Sequence, residues 1–412
     1  MREVLLMGLI GCVGFVCSAK SSETTGPRVF LINANRLLEV RARVAAADPS
    51  LKPAMDKLTA DAEAALENGP FSVTDKPMTP PSGDKHDYMS VGPYWWPNPD
   101  TEDGLPYVRR DGETNPERHK YDNVALGAMS SAVQTLGLAW FLTGEERYAQ
   151  HAATLLRVWF LDDATRMNPN LKYGQAIPGR VEGRGTGIID TGQLPRLLDA
   201  VGMLQGSEAW TGRDQQGLQS WFSMYLDWLL THPYGKEERR AANNHGTWYD
   251  MQAVAYALFA DRSELAREIL EAVPQDRIDR QFEPDGRQPR ELARTKSYSY
   301  SVMNLSGFFS LAVLGERFGI DLWDFRTEDG RSMRTGLDWI LEHAFGGGEW
   351  EYQNLSPVKP EPFLPLLRMA AVAYEEPAYE QKLQELAGGE WDADRFNLLC
   401  SALPSTGGAG PR

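Results

Sequence analysis

The sequence predicts an all-α protein, an (α/α) toroid or incomplete α/α barrel with a long proline-rich loop over its cleft. Two observations carry the helical part. Apolar residues recur at helical spacing in successive paired runs, and alternating strand patterns are scarce. A third observation places the loop: nine of the 26 prolines fall within residues 70–121.

Residues 122–143 carry Val124, Met129, Val133, Leu136 and Trp140 near helical spacing, and Gly144 stops the run. Glu145 to Phe160 follows at once, with Tyr148, Ala152, Leu155 and Trp159. Leu218, Phe222, Tyr225 and Leu229 mark another helix at i, i+4, i+7 and i+11. Met251 to Phe259 and Leu265 to Leu270 form a further pair, broken at Asp261. Runs at 299–317, 331–344 and 361–376 continue the pattern. No repeat of fixed length is visible, which favours a closed or nearly closed barrel over a regular solenoid. The 70–121 segment holds the aromatic block Tyr94-Trp95-Trp96. Aromatics argue against disorder, and ordered loops of this length are usually functional. The same tryptophans could equally pack into the core.

The 412 residues are 42% hydrophobic and 24% charged, an ordinary globular composition that argues against a disordered chain or a polytopic membrane protein. The net charge of −15 argues against a nucleic-acid partner, and an acidic ligand would need a local basic cleft. Residues 1–19 read as a signal peptide: Arg2, an apolar run from Val4 to Val16, and small residues before Lys20. The run is too short to span a bilayer, so no transmembrane span is expected in the mature chain. Export to the periplasm or medium is the expectation, with lipidation at Cys12 the lesser reading. The layout is then 1–19 leader, 20–395 helical domain and 396–412 a weakly ordered tail. After cleavage only Cys400 remains, which leaves no internal disulfide and no cysteine metal cluster.

Chemistry-bearing residues cluster in three places. Asn243-Asn244-His245 stands at a helix start, followed by Trp248. Amides entering an apolar helix are costly unless they find partners. The second cluster runs from Arg290 to Leu305. Tyr300 and Asn304 share a helix face at i, i+4, with Arg294 and Lys296 just upstream. Two cations beside a tyrosine should lower its pKa and suit it to act as base and acid. Tyr298 is about 200° from Tyr300 around the helix, so only one of them should face a cleft. The third cluster, Asn168 to Gly187, is Gly-rich and offers Gln175 and Arg184. It lacks the Gly-Lys-Ser/Thr ending and a preceding strand, so a nucleotide site is rejected.

Taken in order, the Asn-Asn-His element, Glu-Leu-Ala-Arg at 291–294 and the Tyr-x-Tyr-Ser-x-x-Asn-Leu helix resemble the alginate lyase family of polysaccharide lyases. The segments YMSVGPYWWPNPD from Tyr88 and QAIPGRVEGR from Gln175 resemble that family too. The likeness spans roughly residues 70–375. It implies an α/α toroid and β-elimination of a 4-linked polyuronate. No metal or cofactor is expected, since that chemistry requires none and no His-x-x-x-His or Asp-rich calcium loop appears. Alginate with mannuronate-type blocks is favoured, and glucuronan is possible. The resemblance places the catalytic set on Tyr300, His245, Asn244 and Arg294. Around it, Gln175, Arg184, Asn243, Tyr298, Trp95, Trp96, Trp248 and Lys296 are the expected substrate contacts. Ser301 departs from the better-known branch, which carries histidine there. The expected partner is an acidic polysaccharide. Two other classes stay open: an α/α-barrel glycoside hydrolase recruiting Glu291, Asp250 or Asp190, and a non-catalytic glycan binder stacking sugars on its tryptophans.

Overall fold

The computed structural model describes residues 26–400; the leader-like segment lies outside them. Helices α1 (Ala34–Ala45) and α2 (Lys52–Leu66) precede the long excursion, and α3 (Asp122–Thr143) and α4 (Glu146–Leu156) follow it. Then come α5 (Leu194–Met203), α6 (Gly212–Thr231), α7 (Pro233–Arg239), α8 (Asn244–Phe259) and α9 (Ser263–Val273). Short α10 (Asp279–Gln281) and α11 (Pro289–Leu292) lead into α12 (Ser297–Glu316). The chain closes with α13 (Met333–Phe345), α14 (Leu364–Ala373), α15 (Pro377–Leu386) and α16 (Phe396–Leu399).

These helices form two layers, an α/α toroid. The inner layer is α3, α5, α8 and α12, which pack on one another in that order. Their sequences are apolar nearly all round, as burial on every side requires. In α8, for instance, all residues from Tyr249 to Phe259 are buried. Outer helices show one apolar stripe instead. α9 buries Ala266, Ile269, Leu270 and Val273, spaced i, i+3, i+4 and i+7, and turns its charges outward. α3 alone among the described helices is long and apolar enough to cross a membrane, but it lies in the core against α4 and α5. Gly144, at φ 74°, ends α3 in the left-handed turn that glycine adopts without strain. Asp261, at φ 58°, separates α8 from α9.

The starts of the inner helices gather at one end of the ring, and the excursion packs there. Its strand β1 (Met89–Val91) pairs in parallel with β4 (Tyr173–Ala176). Within the excursion β2 (Trp95–Trp96) pairs antiparallel with β3 (Val108–Arg109). The Met89 N–H donates to Asp122 at the start of α3 (2.8 Å), and Tyr88 and Ser90 donate to Asp190 just ahead of α5. At the opposite end residues 26–33 cross the ring as a strap. Phe30 and Leu31 donate backbone N–H groups to the buried Asp199 of α5. Arg28 reaches the Leu258 carbonyl and Asp261, and Arg317 reaches the Val29 carbonyl.

The domain runs past the expected limit at 395. Leu398 of α16 is fully buried, and Arg368 donates to Asn397 and to the Cys400 carbonyl.

Candidate active site

At the start of α12 the Tyr300 hydroxyl meets the Tyr94 hydroxyl at 2.6 Å and receives a hydrogen bond from Arg294 at 2.9 Å. The Arg294 guanidinium also lies 3.9 Å from the centroid of the Tyr300 ring. Asp111 of the excursion pairs with Arg294 at 2.9 Å and accepts from the Thr295 hydroxyl at 3.0 Å. Burial alone would raise the Asp111 pKa, but bonds from Arg294 and Arg109 outweigh it and hold the carboxyl well below its ordinary range. The expected lowering of the Tyr300 pKa does not occur. Burial, then the bond to Tyr94, drive it well above the ordinary phenol value, and Arg294 offsets only part of that. Arg294 is itself shared with Asp111, which weakens its pull. Lys296 sits with its ammonium 5.8 Å from the Tyr94 ring centroid.

At the start of α8 two buried carboxylates hold the Asn-His pair. Asn244 donates its backbone N–H and its side-chain amide to the two oxygens of Glu291, both at 2.7 Å. Burial raises the Glu291 pKa, and the Asn244 bonds oppose the shift. His245 meets Glu238 of α7 through Nδ1 at 2.5 Å, with the Glu238 side chain 2% exposed. A proton on Nδ1 facing Glu238 leaves Nε2 with its lone pair free. Asn243 occupies the N-cap position, yet its side chain makes no capping bond; only its carbonyl is used, by Gly246 and Thr247.

The third wall comes from the Gly-rich loop. Gln175 adopts φ 47°, a left-handed conformation that costs a non-glycine residue strain. Its amide is already engaged, donating to Asp190 at 2.9 Å and accepting from Arg184 at 2.9 Å. Gln175 therefore positions Arg184. Arg184 has no carboxylate partner among the described residues, and burial lowers its pKa. Gly92 allows this packing: a Cβ there would stand 2.6 Å from Trp95 and 2.9 Å from Arg184. Gly185 in turn rests on Tyr234 and Glu237 of α7. These groups are linked in turn: Tyr94 to Tyr300 and Arg294, Arg294 through its backbone N–H to Glu291, Glu291 to Asn244, and α7, which carries Glu238, to Gly185 beside Arg184.

Several expected contacts take other roles. Tyr298 is buried, donates to the Lys359 carbonyl at 2.7 Å and packs edge-on against Trp350, so it faces the core. Its neighbour two residues on takes the cleft, as the helical angle requires. Trp248 lies between Gly192 and Gly307 and donates to the Met303 carbonyl, which makes it a spacer between helices rather than a stacking surface. Trp95 and Trp96 each have a guanidinium near the ring, Arg180 at 5.4 Å and Arg110 at 5.0 Å. Asn304 is buried and donates to Gln281 and Gln288 instead of joining Tyr300. Of the carboxylates a hydrolase would recruit, Glu291 holds Asn244, Asp250 is paired with Arg277, and Asp190 is bound by Tyr88, Ser90 and Gln175. Sequence reasoning passed over Tyr94, Asp111 and Glu238. Tyr94 alone carried a signal, as the first member of the aromatic block.

The alginate lyase family model matches residues 72–350. The crystal structure of an alginate lyase from Bacteroides ovatus is 40% identical, with a TM-score of 0.88, over 91% of this chain and 99% of that one. The chain belongs to the alginate lyase family. As a member it is a polysaccharide lyase. Alginate lyase A1-III from Sphingomonas species A1 shares the fold at 13% identity, with a TM-score of 0.58 over 92% of this chain and 98% of that one. An A1-III variant complexed with tetrasaccharide matches at 14% identity and a TM-score of 0.60, with the same coverage. No curated protein matches the chain.

Proposed function

We propose that this alginate lyase family member cleaves alginate, with mannuronate-type blocks favoured and glucuronan second, by β-elimination that uses Tyr300 as its acid–base group. The observation that carries the reading is the Tyr300 hydroxyl, held by Tyr94 and Arg294, with Arg294 joined through Glu291 to Asn244 beside His245. The C5 proton of a uronate is poorly acidic while the carboxylate stays fully charged. Donors must take up the charge that builds on the enolate. Asn244 retains a second amide N–H beyond its bond to Glu291, and Arg184 is a guanidinium without a carboxylate partner among the described residues. They suit this role better than Gln175, whose amide is engaged. Starts of four inner helices at the same end add a favourable field for an anion.

The raised proton affinity of Tyr300 fits it to protonate the departing O4. On mannuronate the C5 proton and O4 are syn, so the same oxygen first takes the C5 proton as phenolate. Arg294, at 2.9 Å, supports that phenolate. On an anti-oriented residue the free Nε2 of His245 takes the C5 proton and Tyr300 donates. The elimination balances in either case: the C5 proton leaves, the C4–O4 bond breaks, and a C4–C5 double bond forms. The leader-like first 19 residues support work outside the cytoplasm. The test is incubation with mannuronate blocks, guluronate blocks, glucuronan and hyaluronan, read by near-ultraviolet absorbance of the unsaturated ends. Absorbance strongest on mannuronate blocks is expected. New reducing ends without absorbance would mean hydrolysis, and unchanged polymer length would mean binding alone.

A further inference from the structure

On the outer side of α7 lies a pocket of about 400 Å³, bounded by α7, the middle of α8 and the end of α9. Lys236, Arg239 and Arg240 line it, all exposed and none ion-paired with any described residue. Their spacing i, i+3, i+4 puts them on one face of the helix. The pocket's two carboxylates are already taken: Asp250 by Arg277 at 2.7 Å, and Asp276 by Arg280 at 3.2 Å. The charge left over is therefore cationic, in a chain whose net charge is −15. The floor is rigid. Buried Arg277 also donates to the carbonyls of Arg239 and Ala241, clamping the end of α7 onto α8. The same short helix carries Glu238 on its inner side, bonded to His245.

We propose that this basic pocket is a second binding site for the polyuronate chain, outside the catalytic ring; this rests on the polyuronate reading above. A polyuronate carries a carboxylate on every sugar, and guanidinium groups bind carboxylates with two parallel hydrogen bonds. A long chain held here keeps further sugars at high local concentration on the far side of one helix from His245. An oligosaccharide that fills only the catalytic ring gains nothing from it. The pocket thus sets a preference for long substrate over short.

The test neutralises the face with Lys236→Gln, Arg239→Gln and Arg240→Gln together. Cleavage is followed on high-polymer alginate and on a tetrasaccharide of the same composition. Binding is followed separately by retardation in alginate-containing gels, with Tyr300→Phe present in both proteins so that the gel stays intact. Three surface ion pairs lost should lower kcat/KM on polymer by about tenfold, with the tetrasaccharide rate within about twofold. Retardation should weaken, and added salt should erase the difference between the proteins. Equal retardation of the two proteins, or polymer and tetrasaccharide rates that stay level or fall together, would overturn the proposal. Failure of the polyuronate reading looks different, because the unsubstituted enzyme would then yield no unsaturated ends from any polyuronate. The gel measurement still decides whether the pocket binds the chain.

Discussion

Buried carboxylates are used differently at the two ends of the ring. At the end where the inner helices start, Glu238 and Glu291 each grip a side chain, His245 or Asn244, and fix its orientation. At the other end Asp199 grips backbone instead, taking the N–H groups of Phe30 and Leu31 and fastening the strap. Burial is costly for a carboxylate in both settings. In one it fixes the orientation of a side chain proposed to act on substrate; in the other it secures the chain. Burial of an acid therefore does not by itself mark a site. What the acid holds does.

Substitutions at the two ends should separate activity from stability. The largest effect belongs to Tyr300→Phe, which removes one hydroxyl and should lower kcat by about 10²–10⁴-fold with the fold intact. In the unsubstituted enzyme the raised phenol pKa has a matching signature. Turnover of mannuronate blocks should climb as pH rises above neutral, because the phenolate needed as base becomes populated. A rate that falls over that range would leave Tyr300 only the acid role. Next is Glu238→Gln, which keeps the size but removes the charge facing Nδ1. It should lower kcat by about 10–10³-fold with KM little changed. A change in KM alone would recast Glu238 as a wall residue.

The remaining substitutions should spare catalysis. Tyr298→Phe loses the bond to the Lys359 carbonyl and should cost about 1 kcal/mol of stability, with turnover unaltered. Asp199→Asn should act through pH. Burial raises the Asp199 pKa to about 7, against about 3.9 for an unfolded aspartate. Between those values the folded protein holds a proton that the unfolded chain has released. Stability from this group is thus present at low pH and lost as pH rises toward 7. The asparagine protein does not ionise there, so its melting temperature relative to the parent should increase from pH 5 to pH 8. A constant difference would mean that the strap holds the carboxylate charged.

Much of the scaffold was legible because inner helices are apolar all round and glycines punctuate them. The run at 122–143 matches α3 at both ends, and the Asn-Asn-His element does begin α8. Helices α1, α2 and α5 escaped notice. α1 buries only Leu37 and Val40, α2 relies on alanines, and α5 contains Pro195 and Gly202. In the site, helical angles showed only that Tyr298 and Tyr300 must face opposite ways; the choice of Tyr300 came from the Ser-x-x-Asn-Leu run beside it. The electrostatics of the site were not legible, since the sequence displays nearby cations but not the burial that overrides them. Tyr94, Asp111 and Glu238 could not be paired with their partners from sequence, because only tertiary folding brings them together.

The Tyr94–Tyr300 hydrogen bond has a kinetic consequence, since it joins residues 206 positions apart. Inner and outer helices can pair with near neighbours, at little cost in chain entropy. The two phenols meet only after a loop of half the chain has closed. During refolding from denaturant, helical signal should return first. Turnover should lag behind it, so that the last event of folding is the completion of the proposed reaction centre.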